Sequence, residues 1–169
     1  MALKIRPVDY YYVTVREELG AAYGLLSDLA GRGIALLGFA AIPVGPNLVQ
    51  FTLFPEDGNR LVAEARAAQL PLEGPHHAIF VAGDDGLDAL TAVHEQLFTA
   101  GIEVYSSSGA SDARGAFGYV LYVREDQFEG ACGALGCESP ALRKAYESLE
   151  PRSTVLGAPH SAGDHSAAG

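Results

Sequence analysis

Several places in the chain gather side chains able to do chemistry. His76 and His77 are adjacent and His94-Glu95 follows. Imidazoles and carboxylates hold a divalent metal when three or four converge on one centre. Cys132 and Cys137 supply two thiols, too few for a four-ligand zinc site. Cys132 also sits in an apolar helical pattern without a neighbouring base, so it is not placed as a nucleophile. The pair is read as small packing residues, kept reduced in an intracellular chain. Two acidic turns, Arg16-Glu17-Glu18-Leu19-Gly20-Ala21 and Gly83-Asp84-Asp85-Gly86-Leu87-Asp88, each open a helical pattern. A helix start leaves backbone N–H groups unpaired and attracts a carboxylate, while a glycine there lets a ligand approach closely. His160 and His165 stand alone in a Gly-, Ala- and Ser-rich tail and make no site by themselves. No Ser-His-Asp order, Cys-His pairing or phosphate loop occurs.

The elements that would position these groups form a repeat. A βαββα pattern occurs twice, the second copy offset by 68 positions, so Gly33-Ile34 maps onto Gly101-Ile102 and residues 48–54 onto 116–122. Residues 10–15 read as a strand from their aromatic and β-branched content. A helix follows, with Ala22, Leu26 and Leu29 toward the core, closed by Gly31 and Gly33. Strands at 35–42 and 48–54 flank a Pro- and Gly-containing hairpin, and a second helix turns Leu61, Val62, Ala65 and Ala68 inward. After a connector at 71–75, the second copy has a strand at 77–82 and a helix carrying Leu90, Val93, Leu97 and Phe98. Strands near 103–107 and 117–123 then flank a polar loop at 108–115. Its last helix holds Phe128, Ala131, Cys132 and Leu135, and its start, Arg124-Glu125-Asp126, echoes Pro55-Glu56-Asp57 at an offset of 69.

The expected organisation is a first repeat at 1–73, a second at 74–137, and an extra helix with a disordered tail at 138–169. The extra helix starts with Ser139 as N-cap and Pro140 as its first residue. The pattern is α+β: tandem ferredoxin-like units, with antiparallel sheets and helices on one face. Each copy lacks a fourth strand, so the copies are expected to share or exchange edge strands. Residues 152–156 are a further edge-strand candidate.

Strand side chains alternate. Tyr10, Tyr12 and Thr14 share one face and Tyr11, Val13 and Val15 the other. Ile79 and Val81 oppose Ala78, Phe80 and Ala82, and Val120 and Tyr122 oppose Leu121 and Val123. Neither face is charged, whereas a sheet face meeting water should alternate apolar with polar. The face away from the helices is therefore expected to be covered, by the other repeat or by a second chain.

The chain has 169 residues, 49% of them hydrophobic, and a net charge of −10 spread along its length. It lacks the basic stripe of a nucleic-acid binder, and an anionic membrane surface is disfavoured too. The longest apolar run, about a dozen residues from Ile34, falls short of the roughly 20 a spanning helix needs. The N-terminus has no apolar run before a cleavage site. A soluble, cytoplasmic protein is expected, with no membrane or nucleic-acid partner.

The order strand, acidic turn, Leu-Gly, helix, Gly-Ile, strand resembles the ACT domain, a small ligand-binding regulatory module. That family's first turn commonly reads acidic-x-Pro-Gly. Here Gly20 falls at the family glycine and Leu19 at the usual proline, while in the second copy Asp88 takes the glycine position. With Phe39, Phe54-Pro55-Glu56-Asp57, Gly74-Pro75 and the strand at 119–123, the arrangement over residues 8–136 is similar to stand-alone tandem ACT-like proteins. The resemblance implies a non-catalytic sensor of a small molecule, typically an amino acid, bound at an interface between units against the first strand–helix turn. The residues it implies are Glu17, Glu18, Leu19, Gly20 and Ala21, with Asp84, Asp85 and Gly86 in the second copy. Glu17 and Glu18 would meet an ammonium group. Asp84, Asp85 and Asp88 repel a carboxylate, which makes the first turn the stronger candidate. A homodimer is implied, with no cofactor and no metal.

Each of these residues also has a purely structural role open to it. Gly20 can serve tight helix–strand packing, Glu17 and Glu18 can match the helix dipole, Asp84 and Asp85 can cap the second helix, and the tyrosines can pack the sheet. Two other functions remain beside the sensor. His76-His77-Ala78-Ile79-Phe80 looks like a strand of the vicinal-oxygen-chelate metalloenzymes. That fold wants three strands after each helix, however, where this chain supplies two, and His94 and Glu95 are expected to face away. The other is a dimerisation module without a ligand.

Overall fold

The two copies share one sheet. In the computed structural model, which describes residues 3–84, 88–112 and 114–139, the first copy runs β1 (Lys4–Arg16), α1 (Ala21–Gly31), β2 (Leu36–Gly45), β3 (Leu48–Pro55) and α2 (Gly58–Ala67). The second runs β4 (Leu72–Gly83), α3 (Ala89–Thr99), β5 (Val104–Ser111), β6 (Phe117–Val123), a 3₁₀ turn (Glu125–Gln127) and α4 (Phe128–Leu135). Strand order is β2-β3-β1-β4-β6-β5, and every pairing is antiparallel. β4 thus fills the missing fourth-strand position of the first copy, and β1 fills that of the second. The expected sharing of strands is realised as a single six-stranded sheet rather than two. The expected edge strand at 152–156 and the extra helix beyond Pro140 lie outside the described residues.

Helices cover one face, over two separate cores. Tyr11, Val13, Phe51 and Leu53 pack against α1 and α2, while Ile79, Val81, Leu121 and Val123 pack against α3 and α4. Each such buried side chain contributes roughly 1.5–3 kcal/mol. Leu29 in α1 and Leu90, Val93 and Leu97 in α3 are buried as expected, but one expected core residue in each helix is not. In α1, Leu25 and Leu29 are buried while Leu26 is 37% exposed, and in α3, Phe98 is 83% exposed beside buried Leu97. A run of adjacent apolar residues fits either of two helical faces one position apart, and the sheet selects one. Leu61 and Ala65 of α2 are buried as expected, and so are all four residues named for α4.

Two segments expected as loops are strand. β5 continues through Ser108, Gly109, Ala110 and Ser111, because each of these pairs with β6. β4 begins at Leu72, inside the expected connector, and pairs with β1 there. Pro75 offers no N–H to that ladder, and the β1–β4 register shifts between Tyr10 and Tyr12, the position opposite Gly74-Pro75.

The sheet is curled. A flat six-stranded sheet would hold its edges roughly 24 Å apart, yet β2 and β5, the two edge strands, line one trough on the face away from the helices. The curl partly covers that face from within the chain, burying Val8, Tyr10, Phe54 and Ala78 beneath Tyr12, Phe80, Val120 and Tyr122.

Candidate functional site

The first strand–helix turn is held by backbone geometry. Glu17 N–H donates to the Asn47 carbonyl at 2.8 Å, tying the turn to the β2–β3 hairpin. Ala21 N–H donates to the Glu18 carbonyl at 3.1 Å, and Gly24 N–H to the Gly20 carbonyl at 2.8 Å. Gly20 is the N-cap residue, left-handed at φ 87°, and no atom stands within 4 Å of a Cβ built there. Its glycine therefore serves the backbone conformation and not tight packing. No side chain caps α1, so its first N–H groups, those of Ala22 and Tyr23 among them, are unclaimed within the helix.

Glu17, Glu18 and Leu19 are all exposed, and Ala21 is half-buried. An open recess of about 800 Å³ lies beside α1, walled by Arg16, Glu18, Ala21, Tyr23, Asp28 and Arg32. Arg32, the C-cap at the far end of α1, pairs with Glu64 Oε2 through Nη1 at 3.3 Å and with Asp28 Oδ2 through Nε at 3.7 Å. Among the described residues Arg16 has no ion-pair partner. Near the helix start the recess thus offers the Arg16 guanidinium and unclaimed N–H groups to an anion, and Glu18 to a cation.

The second turn is built differently. Asp88, the counterpart of Gly20, is the N-cap of α3 but is right-handed at φ −59°, and its side chain makes no capping bond. Asp84 is exposed. Asp85 and Gly86 lie outside the described residues.

The histidines diverge. His77 faces the helices, where Nδ1 lies 2.9 Å from Asp9 Oδ1 and the ring stacks on Phe128. Asp9 and His77 are 68 apart, so equivalent positions of the two copies meet at their pseudo-two-fold axis as an acid–imidazole pair. This polar pair also divides the two helical-face cores. His76 faces the other side, its ring 5.3 Å from Tyr10 and 5.1 Å from Tyr12, and its Nε2 is buried without a partner. His94 lies 6.4 Å from the Tyr119 ring, and Glu95 is exposed on α3. Among the described residues, no three His, Cys, Asp or Glu side chains converge on one point.

Cys132 and Cys137 are both buried and free. The hydrogen bond of Cys132 to Cys137, with burial, raises the Cys132 thiol well above its ordinary range.

On the curled face, Tyr10 touches Tyr12 and Tyr122 edge-on, with ring centres 5.3 and 5.4 Å away. Burial first, then contact with Tyr12 and Tyr105, pushes the Tyr10 hydroxyl far above the usual tyrosine range. Burial raises Tyr122 as well. Beside this cluster lies the trough between β2 and β5, of about 460 Å³. Sequence reasoning identified the uncharged face but not the trough, which exists only because the two edges approach.

No protein-family model and no curated protein matches the chain. Solved structures do resemble it. Protein BT0572 from Bacteroides thetaiotaomicron superposes with a TM-score of 0.65 at 10% identity, over 77% of this chain and 87% of that one. The ligand-free regulatory subunit of aspartate kinase from Thermus thermophilus gives 0.54 at 14% identity, over 89% and 99%. A structure of aspartokinase alpha and beta subunits gives 0.53 at 16% identity, over 87% and 98%. Among the described residues no helix is long and apolar enough to cross a membrane. The duplicated βαββα units, their shared sheet and these superpositions agree: the chain has the tandem ACT-like, ferredoxin-type fold.

Proposed function

We propose that this protein is a non-catalytic regulatory module that binds a small molecule of the amino-acid class at its first strand–helix turn. The observation that carries the proposal is the uncapped, left-handed Gly20 start of α1, beside a recess that Arg16 and Glu18 line next to that start. A carboxylate would take the helix N–H groups and the guanidinium charge, and Glu17 or Glu18 the ammonium. The solved neighbour described as the regulatory subunit of aspartate kinase from Thermus thermophilus supports a regulatory role.

Leu19 in the turn is fully exposed, and Tyr23, which lines the recess, is 78% exposed. Apolar groups so placed favour closure of the site by a second copy, making the working form a cytoplasmic homodimer. In the second copy, Asp84, Asp85, Gly86 and Asp88 would complete the fold without holding a carboxylate.

Thermal-shift screening against the twenty amino acids tests this. One of them is expected to raise the melting temperature. Gly20→Asp, which gives the first turn the residue of the second, and Arg16→Gln should each weaken that ligand at least tenfold by calorimetry. A stable dimer that no amino acid stabilises would instead identify a ligand-free dimerisation module.

A further inference from the structure

We propose that the trough on the curled face is a second binding site, distinct from the α1 recess, for an apolar monocarboxylate. Its floor is Val8, Phe54, Phe80 and Val120, and its walls are the edge strands β2 and β5. The space depends on small residues at the walls. A Cβ on Gly38 would lie 3.3 Å from the Phe54 ring, and one on Gly118 3.3 Å from the Phe80 ring. Facing positions on the edges are Ala40 and Ala110, which pair with Thr52 and Gly118. A volume of about 460 Å³ lies within the range of small-molecule sites, roughly 300–1,000 Å³.

Charge selects the ligand's other end. Lys4, Arg6 and Val8 share one face of β1, while Leu3 and Ile5 on the other pack into the helical core, so both cations stand on the trough side. The Arg6 guanidinium lies 5.4 Å above the Phe80 ring, on the trough floor. Among the described residues neither cation has a carboxylate within 4 Å. In a chain of net charge −10, two unpaired cations at one end of an apolar trough are complementary to a single anionic head on an apolar body. An amino acid is the wrong shape of charge here: its ammonium would have no acidic partner on the floor or walls. The head would be held by Arg6 as a charge-assisted pair, and the body by the aromatic floor.

Calorimetry with decanoate on the full chain, below its micelle concentration, tests the site, with decan-1-ol as the uncharged control. Decanoate should bind and shift the methyl resonances of Val8 and Val120. Arg6→Gln should weaken decanoate about tenfold without changing decan-1-ol, and Arg6→Lys should keep most of the affinity. Ala40→Phe, which fills the trough from β2, should weaken both ligands at least tenfold, and Ala110→Phe repeats that test from the opposite edge. Gly20→Asp should leave decanoate binding unchanged, which separates this site from the α1 recess. Binding that ignores Arg6 and both filling variants would overturn the proposal, and so would binding lost with Gly20→Asp. A dimer that buries this face, dissociated by Ala40→Glu and indifferent to decanoate, would assign the trough to a second copy and overturn it too.

Discussion

The two copies keep the same skeleton and differ in what they leave exposed. Gly33 and Gly101 both end their helices left-handed, at φ 67° and 71°. Leu53 and Leu121 are fully buried at matching places in the sheet. At the turns the likeness ends: Gly20 is left-handed and opens a recess, whereas Asp88 is right-handed and acidic. Exposed apolar side chains follow the same divide. Among the described residues, Leu19, Tyr23, Leu26, Leu37, Ile42, Val44 and Leu48 belong to the first copy, against Phe98 and Tyr105 in the second. Duplication has preserved packing positions and let surfaces diverge. On the function proposed above, the first copy is where a ligand or a partner chain would act, while the second supplies the strand that completes its sheet.

Shared strands imply that neither copy is stable alone, and the most disruptive changes test that. Leu53→Ala and Leu121→Ala each empty a fully buried position and should cost about 2–5 kcal/mol. Because β1 and β4 each complete the other copy's sheet, both variants should still unfold in one transition. Urea titration followed by circular dichroism and by tyrosine fluorescence would show it as coincident curves. A Leu121→Ala protein that lost its second copy first, leaving the first intact, would break the comparison at its root.

Much of this skeleton was legible in the sequence. The alternation in β1, β4 and β6 assigned both faces correctly, because a strand's period of two leaves no choice once one residue is placed. Helix faces were less certain where apolar residues are adjacent: Leu25-Leu26 and Leu97-Phe98 each offer two candidates, and only the sheet decides. The far end of β5, residues 108–111, gave no strand signal because its pairing comes from β6 and not from its own side chains. Of the candidate site, the acidic turn and Gly20 could be found, since glycine at a helix start has a backbone meaning. The Arg32–Glu64 pair, the Asp9–His77 contact and the trough could not. Each joins residues far apart in sequence through a register or a curl that local pattern does not encode.

The paired glycines sharpen the comparison at smaller scale. An L-residue forced into the left-handed region costs roughly 1–2 kcal/mol, so Gly101→Ala, with nothing within 4 Å of the new Cβ, should lose about that much. At Gly33 the new Cβ would stand 2.6 Å from Arg60 Nη2, which donates to the Arg32 carbonyl at 3.1 Å. Gly33→Ala should therefore cost about 1 kcal/mol more, the worth of that hydrogen bond. Equal losses in the two variants by urea denaturation would show that the Arg60 contact contributes nothing.

The smallest expected difference lies in the tyrosines of the curled face, where Phe54 of the first copy is matched by Tyr122 of the second. Burial, followed by the nearby Tyr12, raises the Tyr122 hydroxyl, and burial raises Tyr10 further. A neutral phenol favoured in the folded state contributes stability that is complete below the unfolded tyrosine pKa, about 10. As pH rises past that value the unfolded chain ionises first, so it binds fewer protons than the folded one and stability falls. Tyr122→Phe removes one such group. At pH 7 it should cost about 1 kcal/mol or less, the worth of one hydroxyl's hydrogen bonding. Above pH 10 the variant should lose stability less steeply than the parent, so the gap between them narrows or reverses. Urea midpoints measured from pH 7 to pH 11 would show this, and parallel curves across that range would mean that Tyr122 ionises as readily folded as unfolded.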